Sequence, residues 1–317
     1  MKKTFFTKQI LALSVIFFLA FSYVTEAQTY REIKGWSAEV NNRLESFLNA
    51  TITMKERKIS VFDCDGTLFG QAPHYLADEA VYSYAQKTYA GKNDEVSKHK
   101  MSLIDEMLHG DNVGGSYVEN RIRFFAGMTP EQISIIGSDK FHEMYQTKFY
   151  PEMKELLANL EEYGIEVWVL TASPEYLYQK FVSEELGIPV DRILGVKSVV
   201  KDGKTTDQMV VPTPQDGGKA ETIQTYIKGR PIFVAGNSRG DMEMMNESVG
   251  IKFIVNADSA KVRTSEEDGP MKGFTVASYW QKEGAILVHS KDVTEGNYKY
   301  ISADWKVKPN KETKETK

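Results

Sequence analysis

Two aspartates, one residue apart, follow a short apolar run in KISVFDCDGTLFG, residues 58–70. Side chains at positions i and i+2 of an extended chain point the same way, so Asp63 and Asp65 are predicted to face one site. Carboxylates held this close repel each other, and the arrangement persists only where something compensates the charge. The residues alone leave two interpretations open: a solvated turn, or a site that holds a cation beside an electrophile.

Further polar residues end or border later apolar segments: Thr171 with Ser173, Lys219, and Asn237 with Asp241. Between these segments, apolar strands alternate with amphipathic helices, which is the pattern of a parallel sheet covered by helices on both faces. We therefore predict an α/β fold with a doubly wound, Rossmann-like parallel sheet. Ligands of such sheets bind beyond the C-terminal ends of the strands, and these residues are expected to meet there.

The segment between the first two predicted strands is helical and polar. Residues 77–145 need no strand, and Thr129-Pro130 is a typical helix start. Further along, ILGVKSVVKDGKTTDQMVV, residues 193–211, is predicted to form a hairpin that turns at Asp202-Gly203. Near the N-terminus, apolar residues at helical spacing predict an amphipathic helix whose role is packing.

Composition excludes some classes of function. The chain has 317 residues, a net charge of −5 and a hydrophobic fraction of 41%, values typical of a soluble globular protein. No dominant basic block is present, which argues against nucleic acid as a partner. Cys64 is the only cysteine, so the fold has no internal disulfide. In an extended segment it faces away from the two neighbouring acids, and we expect it in the core.

The first 27 residues have the pattern of a secretory signal peptide. A basic start precedes an apolar run over residues 10–24, and Thr25-Glu26-Ala27 places small residues at the two positions that a signal peptidase reads. The run is shorter than the roughly 20 apolar residues of a membrane span. We therefore expect cleavage near Gln28, export to the periplasm or the extracellular medium, and no stable membrane span afterwards.

Four short motifs occur in order along the predicted elements: DCDGTL, VLTAS, GGKAE and GNSRGDMEM. Together they resemble the four motifs of the haloacid dehalogenase (HAD) superfamily, whose phosphohydrolases use an aspartate nucleophile. Taken singly, the acids could cap a turn and the threonine and lysine could be ordinary residues, but the ordered set is specific. The resemblance covers residues 58–257 and implies the HAD fold.

Four segments are together similar to the phosphoserine phosphatase branch: RIRFFAGMTPEQI, YPEMKELLANLEEYGIEVWVLTASPEYL, VVKDGKTTDQ and GKAETI. In that branch a helical C1-type cap is inserted between the first two motifs. The implied domain organisation is a signal peptide at 1–27, a helical lead-in at 28–56, a core domain at 57–72 and 147–290, a helical cap at 73–146, and a C-terminal extension at 291–317. The end of that extension is charged and is expected to be disordered.

The resemblance implies a role for each site residue. Asp63 attacks phosphorus and forms an aspartyl-phosphate, while Asp65 protonates the leaving alkoxide and then deprotonates the attacking water. Lys219 stabilises the charge of the transition state, and the catalytic Thr171, with the backbone amides after it, can hydrogen-bond phosphoryl oxygens. Thr67 orients Asp65 or steadies the loop. The implied substrate contacts are Thr67, Ala172, Ser173 and Arg121. The implied Mg²⁺ ligands are Asp63, the backbone carbonyl of Asp65, Asn237 and Asp241.

Two positions depart from the family's pattern. The fourth motif usually has an acid directly after its first glycine, and this chain has Asn237 there, so we predict weaker Mg²⁺ binding. The acid at the later position of this motif is retained as Asp241, which is either a direct metal ligand or a residue that supports a ligand. The glutamate that holds the substrate ammonium in phosphoserine phosphatases corresponds to Ala72, whereas Arg121 matches the arginine that binds the substrate carboxylate. The candidates to replace that glutamate, each equally consistent with a surface role, are Glu119, His74 and Asp78.

The sequence thus predicts an exported, Mg²⁺-dependent phosphomonoesterase that acts on a small organic phosphate, similar to phosphoserine phosphatase. Phosphocholine, phosphoethanolamine and sugar phosphates are alternative substrates. Dehalogenation uses the same nucleophile without a metal, but the lysine, the cap and the fourth motif favour phosphate. An alternative from another class is a protein that binds a phosphate ligand on a degenerate HAD fold without hydrolysing it.

Overall fold

The computed structural model describes residues 28–110 and 114–314, with a six-stranded sheet at the centre. The strands are β1 (Ile59–Asp63), β2 (Glu166–Pro174), β3 (Ile193–Val196), β4 (Ser198–Lys201), β5 (Lys204–Met209), β6 (Phe233–Gly236), β7 (Ile251–Val255) and β8 (Ile286–Val288). The central sheet has the order β3-β2-β1-β6-β7-β8, and every neighbouring pair is parallel. The predicted doubly wound α/β fold is confirmed, because the sheet extends from β1 in both directions.

Helices surround this sheet and fill the connections between its strands. They are α1 (Ala38–Thr51), α2 (Leu76–Thr88), α3 (Glu95–His109), α4 (Gly115–Phe125), α5 (Pro130–Lys140), α6 (Pro151–Glu162), α7 (Glu175–Leu186), α8 (Gly217–Thr222), α9 (Met242–Asn246), α10 (Val276–Lys282) and α11 (Ile301–Asp304). Alternate residues of β1 belong to different apolar clusters, Phe62 to the larger and Val61 to the smaller. Both faces of the sheet are therefore buried, which is why β1 reads as a continuous apolar run.

Helices α2–α5 lie between β1 and β2, and no strand occurs in residues 77–110 and 114–145, as the sequence predicted. Helix α5 begins at the predicted start, where Thr129 and Gln132 form a capping box. It packs closely on α7, because a Cβ at Gly137 would collide with the carbonyl oxygen of Leu177. The helical insertion thus contacts the sheet layer through α7, while the exact boundaries of core and cap stay a prediction.

Strands β4 and β5 form an antiparallel hairpin at the predicted turn. Both turn residues have positive φ, 50° at Asp202 and 75° at Gly203, as two-residue type I′ turns require. The predicted start of this hairpin at residue 193 is wrong, because Ile193–Val196 is β3 and pairs with β2 in the central sheet. All four β3 residues are buried, so packing within the sheet determines their pairing.

The C-terminal part of the chain differs from the prediction. Residues 306–314, expected to be disordered, make backbone hydrogen bonds to distant segments: Thr313 pairs with Asp292 at 2.7 and 2.9 Å, and the Asn310 N–H donates to the Pro73 carbonyl at 2.7 Å. Strand β8 and helix α11 were also not predicted. Amino-acid composition does not predict that this segment is ordered, because its polar residues are held through their backbone groups.

The N-terminal helix packs on the sheet, as expected of the lead-in. The Trp36 ring lies 5.1 Å from that of Phe253, and Leu44 of α1 is fully buried. Cys64 is buried too, in agreement with its predicted core role. The predicted signal peptide, residues 1–27, lies outside the described residues. Across the described part of the chain, none of the helices has the length and apolar character needed to cross a bilayer.

Candidate active site

Asp63 is the last residue of β1, and it lines a cavity of about 190 Å³. Its Oδ2 accepts a hydrogen bond from the Thr67 hydroxyl at 2.9 Å, and its Oδ1 lies 2.6 Å from Lys219 Nζ. Thr67 therefore orients Asp63, whereas the sequence suggested Asp65 or the loop. Burial and the nearby carboxylate of Asp241 raise the pKa of Asp63 to about 7, against the opposing effect of Lys219.

Lys219 bridges two carboxylates. It lies in the first turn of α8, and its ammonium group contacts Oδ1 of Asp63 at 2.6 Å and Oδ1 of Asp241 at 2.7 Å. Burial disfavours its charge, but the two carboxylates outweigh burial and raise the pKa of Lys219. The other oxygen of Asp241 accepts backbone N–H bonds from Asn237 at 2.9 Å and Ser238 at 3.0 Å. Asp241 is therefore a fixed anion that closes the loop after β6.

Three hydroxyl groups surround the Asp65 carboxylate. Tyr178 donates to Oδ1 at 2.8 Å, while Ser173 and Thr171 donate to Oδ2 at 3.1 and 3.4 Å. Burial raises the pKa of Asp65 to about 6, although the hydrogen bonds from Tyr178 and Ser173 oppose this rise. A carboxyl group with a pKa near neutrality is suited to give and to take a proton.

The turn after Asp65 requires a glycine. Gly66 has a φ of +88°, in the left-handed region, and a Cβ at this position would collide with the side-chain amide of Asn237. The first-motif turn and the loop after β6 therefore touch at Gly66. This contact places the Asn237 side chain beside the segment that carries the two aspartates.

The helical insertion supplies another wall of the cavity, lined by Tyr75, Asp78, Tyr117, Val118 and Arg121. Asp78 Oδ1 accepts a hydrogen bond from the Tyr117 hydroxyl at 2.7 Å and lies 3.8 Å from Arg121 Nη1. Arg121 Nη2 donates to the Ala172 carbonyl at 3.4 Å. Arg121 Nε is buried and has no hydrogen-bond partner, so the guanidinium group keeps donor capacity for a ligand.

Residues 60–246 match a family model described as haloacid dehalogenase-like hydrolase. The chain belongs to this family. The match spans Asp63, Asp65, Lys219 and Asp241, which the structure brings together around one cavity. No curated protein matches this HAD hydrolase.

Solved structures share the fold at low sequence identity. A protein of unknown function from Bordetella pertussis Tohama I aligns with a TM-score of 0.56 and 14% identity, over 74% of this chain and 99% of its own. A conserved, functionally unknown protein from Anaerococcus prevotii DSM 20548 aligns with a TM-score of 0.60 and 14% identity, over 86% of this chain and all of its own. A phospho-aspartyl intermediate analogue of phosphoserine phosphatase matches 72% of this chain and 99% of its own at 18% identity, with a TM-score of 0.42. A likeness that distant carries no argument about the substrate.

Most of the predicted site residues of this HAD hydrolase lie together. Those that line the cavity are Asp63, Asp65, Arg121, Thr171, Ala172, Ser173, Lys219, Asn237 and Asp241. Thr67 is fully buried and reaches the site only through its bond to Asp63. The Thr171 hydroxyl is already engaged, because it donates to Asp65 and accepts the Ser173 N–H at 3.0 Å.

The three candidates to replace the missing glutamate differ in their position relative to the cavity. Ala72 itself is buried and does not line the cavity. Asp78 lines the cavity, whereas His74 is buried with its ring 5.4 Å from that of Tyr300. Glu119 is engaged by Arg123 in a largely exposed ion pair. Asp78 is therefore the one of the three that can meet a ligand in the cavity.

Sequence reasoning missed several residues of the site. Those lining the cavity are Gln71, Tyr75, Tyr117, Val118, Gln215, Asp216, Ser238 and Gly240. Tyr178 was missed as well, although a signal existed. It lies in the first turn of α7, which begins directly after β2, and such a turn directs side chains toward the end of the strand.

The donor set of the cavity fits Mg²⁺. The carboxylates of Asp63 and Asp241 and the side-chain amide of Asn237 line it, and oxygen is the ligand atom that Mg²⁺ prefers. Within residues 28–110 and 114–314, no group of three or more His, Cys, Asp or Glu residues is arranged to hold a metal. The groups that would hold a cation here are therefore two carboxylates, both in contact with Lys219, and neutral oxygens. Burial and the neighbouring carboxylate of Asp241 raise the pKa of Asp63, and a cation would neutralise this buried negative charge.

Proposed function

We propose that this protein is an exported, Mg²⁺-dependent phosphomonoesterase that hydrolyses a small organic phosphate through an aspartyl-phosphate on Asp63. One observation carries the proposal: the Asp63 carboxylate, held by Lys219 at 2.6 Å, shares a cavity with Asp65, whose pKa is raised to about 6. This arrangement combines a nucleophile, a fixed cation and a group able to exchange protons.

In the first step, a carboxylate oxygen of Asp63 attacks phosphorus and the bond from phosphorus to the ester oxygen breaks. Asp65, in its protonated form, gives its proton to the departing alkoxide. Lys219 stabilises the negative charge that the transition state spreads over the phosphoryl oxygens. Mg²⁺, held by Asp63, Asn237 and Asp241 with the Asp65 carbonyl, would offset the repulsion between the carboxylate and the phosphate.

In the second step, water attacks the phosphorus of the aspartyl-phosphate. Asp65, now a carboxylate, takes a proton from that water, and the bond from phosphorus to the Asp63 oxygen breaks. Inorganic phosphate leaves, and Asp63 is again a carboxylate while Asp65 is again protonated. The hydroxyl groups of Tyr178, Ser173 and Thr171 keep Asp65 in place throughout the cycle.

The cavity wall formed by the helical insertion indicates which substrate the site favours. Arg121, with a buried Nε that lacks a partner, is suited to bind a second anionic group such as a carboxylate. Asp78 lies beside it and can accept a bond from a substrate ammonium, the role that Ala72 cannot fill. We therefore favour phosphoserine over phosphoethanolamine, phosphocholine and sugar phosphates.

Phosphoserine and phosphoethanolamine give a matched test, because they differ only by the carboxylate. We expect Arg121→Met to lower kcat/KM for phosphoserine by about 100-fold, since a charge-assisted hydrogen bond contributes up to about 3 kcal/mol. The same variant should change phosphoethanolamine hydrolysis by much less. Equal losses on both substrates would contradict a carboxylate site at Arg121.

A binding protein without catalysis is the second candidate, and Asn237 is the observation that favours it. The loss of one acid leaves both remaining carboxylates, Asp63 and Asp241, in contact with Lys219. Hydrolysis of p-nitrophenyl phosphate that is abolished both by chelation and by Asp63→Asn would exclude it. Inactivity on a broad panel of phosphomonoesters at saturating Mg²⁺ would favour it over the enzyme.

Export rests on residues 1–27, which lie outside the described part of the chain. N-terminal sequencing of the chain recovered from the periplasm and the medium should give a mature start near Gln28. A full-length chain found only in the cytoplasm would contradict export, without bearing on the chemistry.

A further inference from the structure

The C-terminal extension contacts the chain where the helical insertion joins the sheet, although it lies outside the family-matched residues 60–246. The two connecting segments, residues 66–75 and 146–150, run side by side. The Gly70 N–H donates to the Lys148 carbonyl at 2.8 Å, and the Tyr150 N–H donates to the Leu68 carbonyl at 3.1 Å. Any movement of the insertion relative to the sheet has to bend these two segments.

Asp292 of the extension holds both segments at once, and it is 3% exposed. Its Oδ2 accepts the backbone N–H groups of Gln71 at 2.8 Å and Ala72 at 3.1 Å. Its Oδ1 forms an ion pair with the buried ammonium group of Lys148. The approach is possible only because residue 70 is glycine: a Cβ on Gly70 would meet Asp292 Oδ1 and lie 2.7 Å from Lys148 Cε.

The extension then crosses α2 of the insertion and returns. The fully buried carboxylate of Glu79 accepts the backbone N–H groups of Ile301 at 2.7 Å and Ser302 at 3.0 Å. Further on, Asn310 Nδ2 donates to the Gln71 carbonyl at 2.8 Å. Both backbone polar groups of Gln71 are therefore bonded to the extension.

Gln71 is the link to the cavity. It is one of the lining residues, and its Oε1 lies 2.9 Å from the place of a Cβ on Gly66, so it packs against the turn that carries the two aspartates. We propose that Asp292 is a positioning residue of the active site, which fixes the wall formed by Gln71 through bonds to both connecting segments. The expected kinetic effect rests on the proposed phosphatase function, whereas the expected rigidity of the wall does not.

Two variants test the proposal. Asp292→Asn alone would leave the buried Lys148 without a counter-charge, so it is combined with Lys148→Met. Asn310→Ala removes only the side-chain bond to Gln71 and is the milder variant. Glu295→Gln is the matched control, because Glu295 lies in the same extension and pairs only with exposed Lys291 at 3.6 Å. Folding of each variant is checked by circular dichroism.

We expect amide hydrogen exchange to rise across residues 66–72 in both test variants and to stay unchanged in the control. KM for p-nitrophenyl phosphate should rise about tenfold in the double variant and about threefold in Asn310→Ala, since a misplacement of about 1 Å can cost as much as about 100-fold. A purely structural role would reduce the fraction of folded enzyme, and with it kcat, but would leave KM unchanged.

Unchanged KM in folded variants, with faster exchange confined to residues 71–72, would overturn the proposal. If the double variant does not fold, Asn310→Ala decides by the same criterion. If the wild type hydrolyses no phosphomonoester at all, the proposed function is wrong. Hydrogen exchange alone then tests the positioning role of Asp292. Faster exchange that reaches residues 66–70 then supports the positioning role, and unchanged exchange there contradicts it.

Discussion

The hydroxyl of fully buried Tyr178 donates a hydrogen bond of 2.8 Å to Oδ1 of Asp65. This bond joins the first turn of α7 to the segment that follows β1. It stabilises the carboxylate form of Asp65, whereas burial favours the protonated form, and the balance puts the pKa of Asp65 at about 6. Tyr178 thereby adjusts a proton-transfer group without contacting the substrate itself.

Replacing Tyr178 should shift the pH profile in a defined direction. The alkaline limb of the pH profile of kcat/KM reports the loss of the Asp65 proton, because Asp65 acts as an acid in the first step. Tyr178→Phe removes a donor to the carboxylate, so the pKa of Asp65 rises and the alkaline limb moves to higher pH by about one unit, since a hydrogen bond to a charged group contributes at least about 1.5 kcal/mol. Tyr226→Phe, at an exposed tyrosine, is the control. An unmoved limb in a folded Tyr178→Phe variant would show that Asp65 is not the acid.

Lys219→Met should slow the chemical step and destabilise the protein. We expect kcat to fall by about 100- to 1000-fold, the usual loss when a fixed stabiliser of transition-state charge is removed. The variant also leaves Asp63 and Asp241 facing each other without their shared cation, which lowers the free energy of unfolding by about 3 kcal/mol or more. Rates on p-nitrophenyl phosphate and urea denaturation measure the two effects, with the exposed Lys201→Met as control. A change in stability with kcat preserved would remove Lys219 from the catalytic role.

Restoring an acid at position 237 should strengthen Mg²⁺ binding. Asn237→Asp adds a negative charge to the cavity that Asp63 and Asp241 also line, and unit charges about 4 Å apart interact by up to about 4 kcal/mol in a partly screened site. After the cost of desolvation we expect the Mg²⁺ concentration for half-maximal activity to fall by about tenfold. Asn246→Asp, at an exposed position, controls for the change in net charge. A half-saturating concentration that rises or stays the same would contradict the role of residue 237 as a ligand.

Mg²⁺ should stabilise the folded protein independently of any substrate. A ligand that binds only the folded state adds about 2.7 kcal/mol at a concentration of about 100 times its Kd, so the thermal midpoint should rise with Mg²⁺ and fall back on chelation. Differential scanning calorimetry on the wild type and on Asp63→Asn measures this. We expect most of the shift to disappear in the variant. An equal shift in both proteins would place the metal elsewhere.

The sequence predicted the strand-end residues well, because their positions follow from local pattern. Apolar runs that lead into Asp63 and Asn237 mark the ends of the buried strands β1 and β6, and in a parallel sheet these ends share one edge. The strand expected to end at Thr171 is longer, because β2 continues to Pro174. Gln71 and Asp292 could not be found in this way. Their contact joins residues 221 positions apart and depends on backbone groups and on the space at a glycine.

The cavity wall formed by the helical insertion could not be predicted from local sequence pattern either. Asp78, Tyr117 and Arg121 lie on two helices whose relative placement no local pattern encodes. Their spacing along the chain gives no sign that a carboxylate, a hydroxyl and a guanidinium group would meet. Asp78 was only one of three candidates until the structure placed it in the cavity.

The claim that Asp63 carries the phosphoryl group is tested most directly by trapping the intermediate. Borohydride reduces an acyl phosphate to an alcohol, so enzyme quenched with borohydride during turnover of p-nitrophenyl phosphate should contain homoserine at position 63. Peptide mass spectrometry locates the modified residue, and enzyme quenched without substrate is the control. We predict homoserine at position 63 alone, dependent on Mg²⁺ and on substrate. Homoserine at position 65 or at another aspartate, with turnover intact, would contradict the phosphoryl-carrying role of Asp63.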